Sequence, residues 1–525
     1  MTSNIWSKTP DATEYELLPV YDDDDALSDI GVQATSWQGN RGVVAWFCSR
    51  PRNVRRLICK ISGSTIGYLF KYVLFMVLAL LIGTPIFGPS YTHYPDNYLQ
   101  LESRCLNSTG SGCANAFNER VFITVSLYDA GGHLASGKWG ESLLELIDLI
   151  GNDNVYLSIY ENDSGPEGEK ALNSLKSKLK CQYSLVYDRN TTIHDFPTIT
   201  MPDGTKRLKR IAYLAELRNR ALRPLDTLSE DGVRFDRILF LNDIAFHPME
   251  AAHLLFSTNV GLDGRAHYLS VCGLDYSTPF RFYDIFAMRD AEGYAMGFPV
   301  FPIFSKAGQG LSRDAMLAGS DAVPVTGCWG GIVAMQAKHV QNLDRALPDP
   351  SFQKLGRHDI DPAHPRNVTS PVRFRHEPEL YYDACECCLF LADVAQIARK
   401  QEEEEQGVYV NPYVRVAYDH KILWWLRWTR LWERLLVIPQ SIFTPLARHP
   451  HNNPYRAVQE GETFMEEVWV NIGDGGFWEM VERKGRSGMF CGERFMLTIR
   501  PGDRKEGKNW EKFKAPKGYT LGFPR

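Results

Sequence analysis

Residues 237–246 read RILFLNDIAF, an apolar run that ends abruptly at Asn242 and Asp243. A short apolar run bounded by polar residues predicts a buried β-strand, here Arg237–Leu241. Open α/β sheets bind their ligands at the carboxyl ends of the strands. The sequence therefore places Asn242 and Asp243 at a sheet edge where a ligand is expected.

Strand-like and helical patterns alternate on both sides of this run. Strands are predicted at 121–127, 155–160, 183–187 and 268–274, and helices at 140–150, 167–179 and 206–222. This alternation is typical of an α/β fold with a mostly parallel central sheet. The sequence does not indicate a Rossmann dehydrogenase or a P-loop NTPase, because Gly308 and Gly310 follow no strand and no P-loop motif occurs.

Two further segments are rich in small residues or tryptophan. Residues 325–335 (VTGCWGGIVAM) surround Trp329 with small side chains, a pattern that lets the backbone approach a ligand closely. Residues 421–436 (KILWWLRWTRLWERLL) predict an amphipathic helix. Two roles are open for it: packing against the rest of the protein, which we favour, and docking on a membrane surface.

The composition excludes some partners and restricts the cysteine chemistry. Among 525 residues, 44% are hydrophobic and the net charge is −5, so no basic surplus exists to bind nucleic acid. Nine cysteines follow the most apolar segment, which leaves at least one unpaired. Cys105 and Cys113 are predicted to form a local disulfide. The spacing of Cys385, Cys387 and Cys388 does not suit a thiolate zinc site.

Residues 66–88 (IGYLFKYVLFMVLALLIGTPIFG) predict a transmembrane signal anchor with Lys71 as its only charge. A cleaved signal peptide is not favoured, because more than sixty residues precede the segment. A buried core helix is the alternative. Arginine and lysine residues crowd the preceding side, while Arg104 is the only one between residues 90 and 118. This bias predicts a cytosolic, largely disordered tail over residues 1–65 and a lumenal remainder.

Four sequons lie beyond the predicted anchor, where glycosylation is possible. They begin at Asn107, Asn162, Asn190 and Asn367. Together with the charge bias they favour the lumenal placement.

Several blocks of the chain resemble one protein family. The blocks are FITVSLYDAGGHL (122–134), VYLSIYENDSGPEG (155–168), RIAYLAELRNRAL (210–222), RILFLNDIAF (237–246), VCGLDYSTPFRFYDIFAMRDAEG (271–293), VTGCWGGIVA (325–334) and RFRHEPELYYDACECCLFLADV (373–394). In this order they resemble the fungal capsule-associated α-1,3-mannosyltransferases of glycosyltransferase family 69.

The resemblance implies a GT-A-like nucleotide-sugar-binding fold, GDP-mannose as donor, Mn²⁺ or Mg²⁺ as cofactor and a single-pass Golgi anchor. It also implies transfer to a mannoside or polysaccharide acceptor in α-1,3 linkage. The expected organisation is a tail (1–65), an anchor (66–88), a stem (89–118), a catalytic domain (119–400) and a C-terminal extension packed on that domain (401–525). No oligomeric state is implied.

Asp243 is the first candidate metal ligand, because hard divalent cations prefer oxygen donors. The usual GT-A signature is Asp-x-Asp, whereas this chain has Leu241-Asn242-Asp243. His376 is the candidate that completes the metal site. Both assignments have structural alternatives, which for Asp243 are a strand-end cap or a turn.

Four residues are candidates for binding the nucleotide sugar. Arg218 suits a phosphate and Asn219 suits a hydroxyl, and both lie on the helix before the metal strand. Glu161, at the end of the second strand, suits the guanosine or ribose, and Asn242 lies beside the metal ligand. The alternative for Arg218 and Asn219 is a place on a solvated helix face. The alternative for Glu161 is a capping role at the next element.

Retention of configuration requires either a carboxylate nucleophile or a front-face substitution in which the leaving phosphate acts as base. Glu386 and Asp290 are the preferred residues for orienting the acceptor hydroxyl, with Asp243 as the third catalytic candidate. Asp284 and Asp383 are further options. Trp329 suits stacking on an acceptor sugar, and core packing is equally compatible with it.

Two other functions remain open at this point. The missing first aspartate of Asp-x-Asp is compatible with a catalytically silent Golgi factor for polysaccharide export. A transferase that uses another nucleotide sugar is also compatible, because donor choice depends on a few pocket residues.

Overall fold

The computed structural model describes residues 52–88, 90–162, 164–189, 196, 198–341, 370–400, 407–450, 453–473, 475–500 and 510–521. Its centre is a nine-stranded sheet with the strand order 3-2-1-6-10-7-12-9-8. The strands in chain order are β1 (Val121–Leu127), β2 (Val155–Asn162), β3 (Gln182–Asp188), β4 (Thr198–Thr200), β5 (Lys206–Leu208), β6 (Arg237–Leu241), β7 (Ser270–Tyr276), β8 (Arg289–Asp290), β9 (Val323–Gly327), β10 (Ile332–Gln336), β11 (Asp383–Ala384), β12 (Val408–Ala417), β13 (Thr463–Ile472), β14 (Gly475–Lys484), β15 (Gly492–Glu493), β16 (Phe495–Ile499) and β17 (Trp510–Lys514).

The α-helices in chain order are α1 (Arg52–Phe87), α2 (Asp96–Leu106), α3 (Lys138–Ile150), α4 (Gly165–Lys176), α5 (Arg210–Glu230), α6 (Pro248–Phe256), α7 (Leu311–Ala318), α8 (Glu386–Lys400), α9 (His420–Thr429) and α10 (Val437–Leu446). Several predicted elements are recovered closely. The predicted strands 121–127 and 237–241 coincide with β1 and β6, and the predicted helix 140–150 begins two residues earlier, as α3.

The central sheet confirms the predicted α/β fold with a mostly parallel sheet. Strands β3, β2, β1 and β6 pair in parallel, while β10 and β9 run opposite to the other seven strands. Val121 pairs with both Val155 and Arg237, so β1, β2 and β6 are in near register. Their carboxyl ends therefore meet at one edge of the sheet, which is the GT-A-like arrangement that the resemblance implies.

Alternate residues of the central strands enter two hydrophobic cores, one on each face of the sheet. In β6, Phe240 belongs to the core that contains Leu222 of α5, whereas Leu239 belongs to the core that contains Leu143 of α3. This follows from the two-residue period of a strand. Because both faces are covered, β6 is apolar throughout, and the polar residues after it mark the sheet edge.

The central sheet extends beyond the predicted domain boundary at residue 400. Strand β12 lies between β7 and β9 inside the sheet, so the central sheet includes residues that were assigned to the C-terminal extension. Segments that follow β12 are also joined to earlier parts of the chain. β15 pairs with β11, and a disulfide joins Cys388 of α8 to Cys491.

Residues of the predicted stem pack directly on the domain. The Tyr91 hydroxyl donates to the Met316 carbonyl at 2.9 Å, and Tyr98 of α2 is fully buried. The Asn411 amide donates to the Tyr98 hydroxyl at 2.6 Å, which ties α2 to the central strand β12. The described part of this segment is therefore not an extended spacer.

Within the described residues, one helix is long and apolar enough to cross a membrane. Its apolar part, Gly67–Phe87, has a mean hydropathy of 2.1 and none of it is buried in the protein. Exposure along its whole length argues against the core-helix alternative, because a core helix would be covered by neighbouring elements. The helix matches the predicted signal anchor in position and length.

The predicted disulfide between Cys105 and Cys113 is confirmed. Two others join distant parts of the described chain, Cys272 to Cys328 and Cys388 to Cys491. The free thiols among the described residues are Cys181, Cys385 and Cys387, and all three are buried.

Candidate active site

A pocket opens at the carboxyl edge of the sheet, between β1, β6 and α5. Its polar and aromatic lining side chains include Tyr128, Asn162, Tyr213, Arg218, Asn242, Asp243 and Trp329. Four of these residues (Arg218, Asn242, Asp243 and Trp329) were predicted to bind donor, metal or acceptor. The sheet therefore brings together residues that are separated by more than 110 positions in sequence.

Asp243 lies half-buried at the pocket wall, two residues past the end of β6. Burial raises the pKa of its carboxyl group to about 6, to which the Asp129 carboxylate adds, whereas the Arg218 guanidinium opposes the shift. A carboxylate with a raised pKa is an anion that lacks sufficient positive charge around it. A bound cation would supply this charge.

Asn242 is fixed by the backbone and by two tryptophans. Its amide N–H donates to the Gly331 carbonyl at 2.9 Å, and its own carbonyl accepts from the Trp139 indole at 2.9 Å. Its side-chain oxygen accepts from the Trp329 indole at 3.4 Å. The side-chain oxygens of Asn242 and Asp243 are thus held at the pocket wall on a rigid strand end.

The glycines of the VTGCWGG segment allow close strand packing rather than approach to a ligand. Gly330 and Gly331 both have left-handed backbone conformations, with φ of 58° and 68°. A Cβ on Gly330 would lie 2.1 Å from the Gly273 carbonyl oxygen of β7. The two glycines therefore form the tight connection from β9 to β10 that positions Trp329 over the pocket.

Arg218 of α5 projects towards the pocket beneath Trp329, with its guanidinium carbon 4.4 Å from the ring centroid. Its Nη2 lies 3.5 Å from Oε1 of Glu386, and its Nη1 donates to the Cys387 sulfur. The side chain is only 8% exposed. A guanidinium held by an ion pair and an aromatic ring keeps one orientation, which suits repeated binding of the same anion.

Glu386 lies behind Arg218 instead of facing the pocket directly. It is 2% exposed, and the Cys387 thiol donates to its Oε1 at 3.4 Å. Glu386 therefore contacts the Arg218 side chain from the side away from the pocket. Cys385, Glu386 and Cys387 also form the one group of three clustered potential metal ligands found within the described residues.

Trp329 and Asp284 form one wall of this region. Trp329 is 3% exposed, and Arg218 occupies one face of its ring, while Phe240 and Phe374 pack around it. Asp284 accepts from the backbone amides of Ala287 at 3.2 Å and Gly330 at 3.3 Å. Burial raises the pKa of Asp284, and the nearby Glu386 carboxylate adds to the shift.

Asp275 is a site residue that the sequence interpretation did not select. It lies in β7 and is fully buried, and it accepts from the Tyr418 hydroxyl at 3.1 Å and from the Asp284 amide at 3.1 Å. Burial raises its pKa well above the ordinary aspartate value, and the Asp284 carboxylate raises it further. The sequence contained a signal for this residue, because the predicted strand 268–274 runs directly into Asp275.

Glu161, in β2, is fully buried near the same sheet edge. Burial raises its pKa to about 7, the carboxylates of Asp129 and Glu169 add to the shift, and the Ser164 hydroxyl opposes it. Its Oε1 lies against the first turn of α4, because a Cβ on Gly168 would be 2.6 Å away. Glu161 can thus accept or release a proton near neutral pH.

Asn219 and Asp290 lie outside the pocket lining and make local contacts. The Asn219 side chain exchanges two 2.9 Å hydrogen bonds with the Phe374 backbone, so it fastens residues 370–380 to α5. Asp290 accepts from the amides of Glu292 at 2.9 Å and Tyr294 at 2.8 Å. In the structure, Asn219 thus holds the Phe374 segment and Asp290 holds its own turn, and their predicted roles at the site stay predictions.

Two other predicted residues are buried away from the pocket lining. His376 is 5% exposed, and the structure does not bring it into the pocket wall with Asp243. Asp383 forms an ion pair with Lys209 at 2.7 Å and accepts from the Leu497 amide at 2.7 Å. Asp383 therefore joins α5 and β16, a structural role.

The sequons differ in accessibility. Asn107 is exposed at the end of α2. Asn162 is 3% exposed, lines the pocket and donates to the Tyr213 hydroxyl, so a glycan there would not fit the folded protein. Asn190 and Asn367 lie outside the described residues.

The donor set at the end of β6 fits a hard divalent cation. Asp243 offers a carboxylate whose ionisation is disfavoured by burial, and Asn242 offers an amide oxygen beside it. Oxygen donors of this kind suit Mn²⁺ or Mg²⁺. The thiols near Arg218 are softer donors and do not suit these ions.

A mostly parallel sheet with a carboxylate, an amide and a buried guanidinium at its carboxyl edge defines a nucleotide-sugar glycosyltransferase. The sequence profile of the family described as Cryptococcal mannosyltransferase 1 matches residues 120–393, just over half of the chain. The chain belongs to this family. The match contains every pocket residue named above.

Solved glycosyltransferase structures show low similarity to the chain. The mannosyltransferase PcManGT from Pyrobaculum calidifontis, in complex with GDP-Man and Mn²⁺, is 12% identical, with 71% of this chain and 78% of that chain covered and a TM-score of 0.30. Glucosyl-3-phosphoglycerate synthase from Mycobacterium tuberculosis, with Mn²⁺, UDP and phosphoglyceric acid, is 9% identical, with 75% and 95% covered and a TM-score of 0.26. Mannosyl-3-phosphoglycerate synthase from Rubrobacter xylanophilus is 10% identical, with 75% and 93% covered and a TM-score of 0.25. No curated protein sequence matches the chain.

Proposed function

We propose that the protein is a retaining, metal-dependent transferase that moves mannose from GDP-mannose to a mannoside or polysaccharide in α-1,3 linkage. The observation that carries the proposal is Asp243, which lies at the end of β6 in a pocket within the mannosyltransferase family match. Burial raises the pKa of this carboxyl group, so its ionised form lacks the stabilisation that water would give and that a bound cation would supply. A divalent cation and its diphosphate ligand fit such a site.

Asp243 and Asn242 are the residues that would hold the metal. When bound, the ion would neutralise the charge that develops on the diphosphate leaving group. Mn²⁺ and Mg²⁺ are both compatible with oxygen donors. His376 stays a proposed additional ligand, and it would require the segment 370–380 to shift, because His376 is absent from the pocket lining.

Arg218 is the proposed cation for the donor phosphates. It is the guanidinium of the pocket wall, and the Glu386 ion pair and the Trp329 ring fix its direction. Charge-assisted hydrogen bonds from a fixed guanidinium stabilise a phosphate strongly. Glu161 is the proposed contact for the guanosine or ribose, since it lies in β2, beside β1 of the pocket wall.

Asp284 and Trp329 are the proposed acceptor-side residues. Trp329 is in the pocket lining but is almost fully buried, so only its edge would reach an acceptor sugar, and Asp284 accepts a backbone hydrogen bond from Gly330, the residue after Trp329. Glu386 acts in this proposal as a positioning residue for Arg218. A front-face substitution is favoured over a covalent intermediate on Glu386, because Glu386 lies behind the guanidinium.

The proposed location is the Golgi membrane, with one helix as anchor and the catalytic domain in the lumen. The exposed apolar helix Gly67–Phe87 supports the anchor. The three disulfides beyond it support an oxidising compartment.

The direct test uses the full-length chain in detergent with GDP-mannose, Mn²⁺ and α-mannoside acceptors. We expect a mannosylated product whose linkage is read by methylation analysis, and we expect chelation to stop its formation. Asp243→Asn should lose the metal-dependent transfer, while the matched exposed variant Asp314→Asn should keep it. Absence of both transfer and donor binding would instead indicate a catalytically silent protein. Transfer from another nucleotide sugar alone would refute the donor assignment.

A further inference from the structure

The helices α9 and α10 expose an unusual amount of apolar surface. Their exposed side chains are Trp424, Trp425, Trp428, Ile438, Ile442 and Leu446, each between 48% and 71% exposed. We call this set the tryptophan face. The other side of α9 is buried in the protein through Leu423 and Leu426. Packing on the domain, the favoured sequence interpretation, therefore accounts for one side of the helix only.

The segment between these helices touches the predicted membrane anchor. The Trp432 indole donates to the Leu81 carbonyl of α1 at 2.9 Å, and the Ser90 amide donates to the Arg430 carbonyl at 3.2 Å. Leu81 lies six residues before Phe87, the last residue of α1, which corresponds to about 9 Å at 1.5 Å per residue. Trp432 thus lies beside the lumenal end of the apolar span, and the tryptophan face flanks that end.

Apart from Asp419, which caps the first turn of α9, the exposed charges along α9 and α10 are basic. Between residues 420 and 448 the only carboxylate is Glu433, which is buried and pairs with Arg415 at 2.7 and 2.8 Å. The exposed charged residues there are Lys421, Arg427 and Arg448. Tryptophan and basic residues together are enriched where a protein meets lipid headgroups.

We propose that α9 and α10 lie in the interfacial layer of the lipid leaflet from which α1 emerges. In this proposal, the bilayer surface covers the tryptophan face. The face is continuous with the membrane helix through Trp432, and its charges complement lipid phosphates. The catalytic domain is consequently held at the membrane surface instead of moving on a flexible stem, which agrees with the packed Tyr91 and Tyr98.

The β13–β14 hairpin supplies an internal comparison. It also exposes apolar side chains, including Met465, Ile472 and Phe477 at 46%, 63% and 46%. Its exposed charged residues include the carboxylates Glu479 and Glu482, and the hydrogen bonds of its described residues do not reach α1. Exposure alone therefore does not distinguish the two surfaces, whereas contact with α1 and charge do.

The test is photolabelling of the full-length chain in phosphatidylcholine vesicles that contain a phosphatidylcholine with a diazirine near its carbonyl groups. After irradiation and proteolysis, lipid adducts are mapped by mass spectrometry. We expect adducts on residues 420–446 at least about tenfold above those on residues 463–484. The variant Trp424→Ser/Trp425→Ser/Trp428→Ser should lose them while the adducts on α1 and transfer to a soluble acceptor are kept.

Four results would overturn the proposal. Adducts on α1 alone would show that the tryptophan face is not at the bilayer. Equal labelling of the hairpin would show that lipid reaches any apolar surface of the protein. Lysine crosslinks between two chains through Lys421, without lipid adducts, would assign the face to a second copy. An unlabelled α1 would also overturn the proposal, because the proposal rests on α1 crossing the membrane. This result would not bear on the proposed transferase activity.

Discussion

Replacing Asp243 by asparagine is expected to stabilise the metal-free protein while abolishing its activity. Burial raises the pKa of Asp243 from 3.8 to about 6, and the Arg218 guanidinium reduces the shift without cancelling it. The folded protein therefore binds a proton at this carboxyl group more tightly than the unfolded chain does. Above pH 6 the ionised carboxylate lowers the free energy of unfolding.

The magnitude follows from this pKa difference. At 1.36 kcal/mol per pH unit, the interval between 3.8 and about 6 corresponds to about 3 kcal/mol above pH 7. The destabilisation by the ionised Asp243 carboxylate decreases as the pH falls and is about 1 kcal/mol at pH 4.5. Both values are upper limits, because the Asp243 side chain is only half-buried and water screens part of its charge.

The assay is denaturation of the detergent-solubilised wild type and Asp243→Asn in chelator, at pH 7.5 and pH 4.5. The variant should be more stable by about 1 to 3 kcal/mol at pH 7.5, and this advantage should shrink to about a third at pH 4.5. Adding Mn²⁺ at pH 7.5 should stabilise the wild type and not the variant. The same advantage at both pH values would refute the reasoning, as would wild-type transfer activity in the variant.

Three further changes test other parts of the structure. Glu386→Gln should leave the Arg218 guanidinium buried without its counter-charge, so the free energy of unfolding should fall by about 3 kcal/mol. The KM for the donor should rise more than kcat falls, because Glu386 positions Arg218. Asn107→Gln should remove a glycan that is visible by electrophoretic mobility, whereas Asn162→Gln should not change the mobility. Cys388→Ala breaks the disulfide with Cys491 and should lower stability by about 2 to 5 kcal/mol, which thermal denaturation with and without reductant would measure.

The central strands and the pocket carboxylate were predictable because they depend on local pattern. Strand β6 is a continuous apolar run that ends in two polar residues, and this alone places Asp243 at the sheet edge. Strand β12 was missed for the opposite reason. It follows the charged run 401–406, which resembles a domain boundary, and its place between β7 and β9 depends on pairing with distant strands.

The roles of the long polar side chains could not be predicted in the same way. Arg218 and Glu386 are 168 residues apart, and only the packing of α8 against α5 brings them to 3.5 Å. Asn219 is adjacent to Arg218 in sequence, yet its side chain binds the Phe374 backbone instead of the pocket. Neighbours on a helix point in directions about 100° apart, so one of them can face a ligand while the other holds a loop.

The charge balance of the site joins these observations into one argument for a metal. Asp275 and Asp284 lie beside each other, and burial raises the pKa of each. The tyrosines Tyr283 and Tyr418 interact with both these carboxylates and Asp243, so the three acids share one neighbourhood. The guanidinium groups nearby are Arg218, which already pairs with Glu386, and the buried Arg210, which interacts with Tyr283. A region with this excess of carboxylates is more stable either protonated or with a bound cation. We therefore expect divalent metal binding to release protons from these acids, and we propose that Asp275 and Asp284 compensate for the incomplete Asp-x-Asp signature.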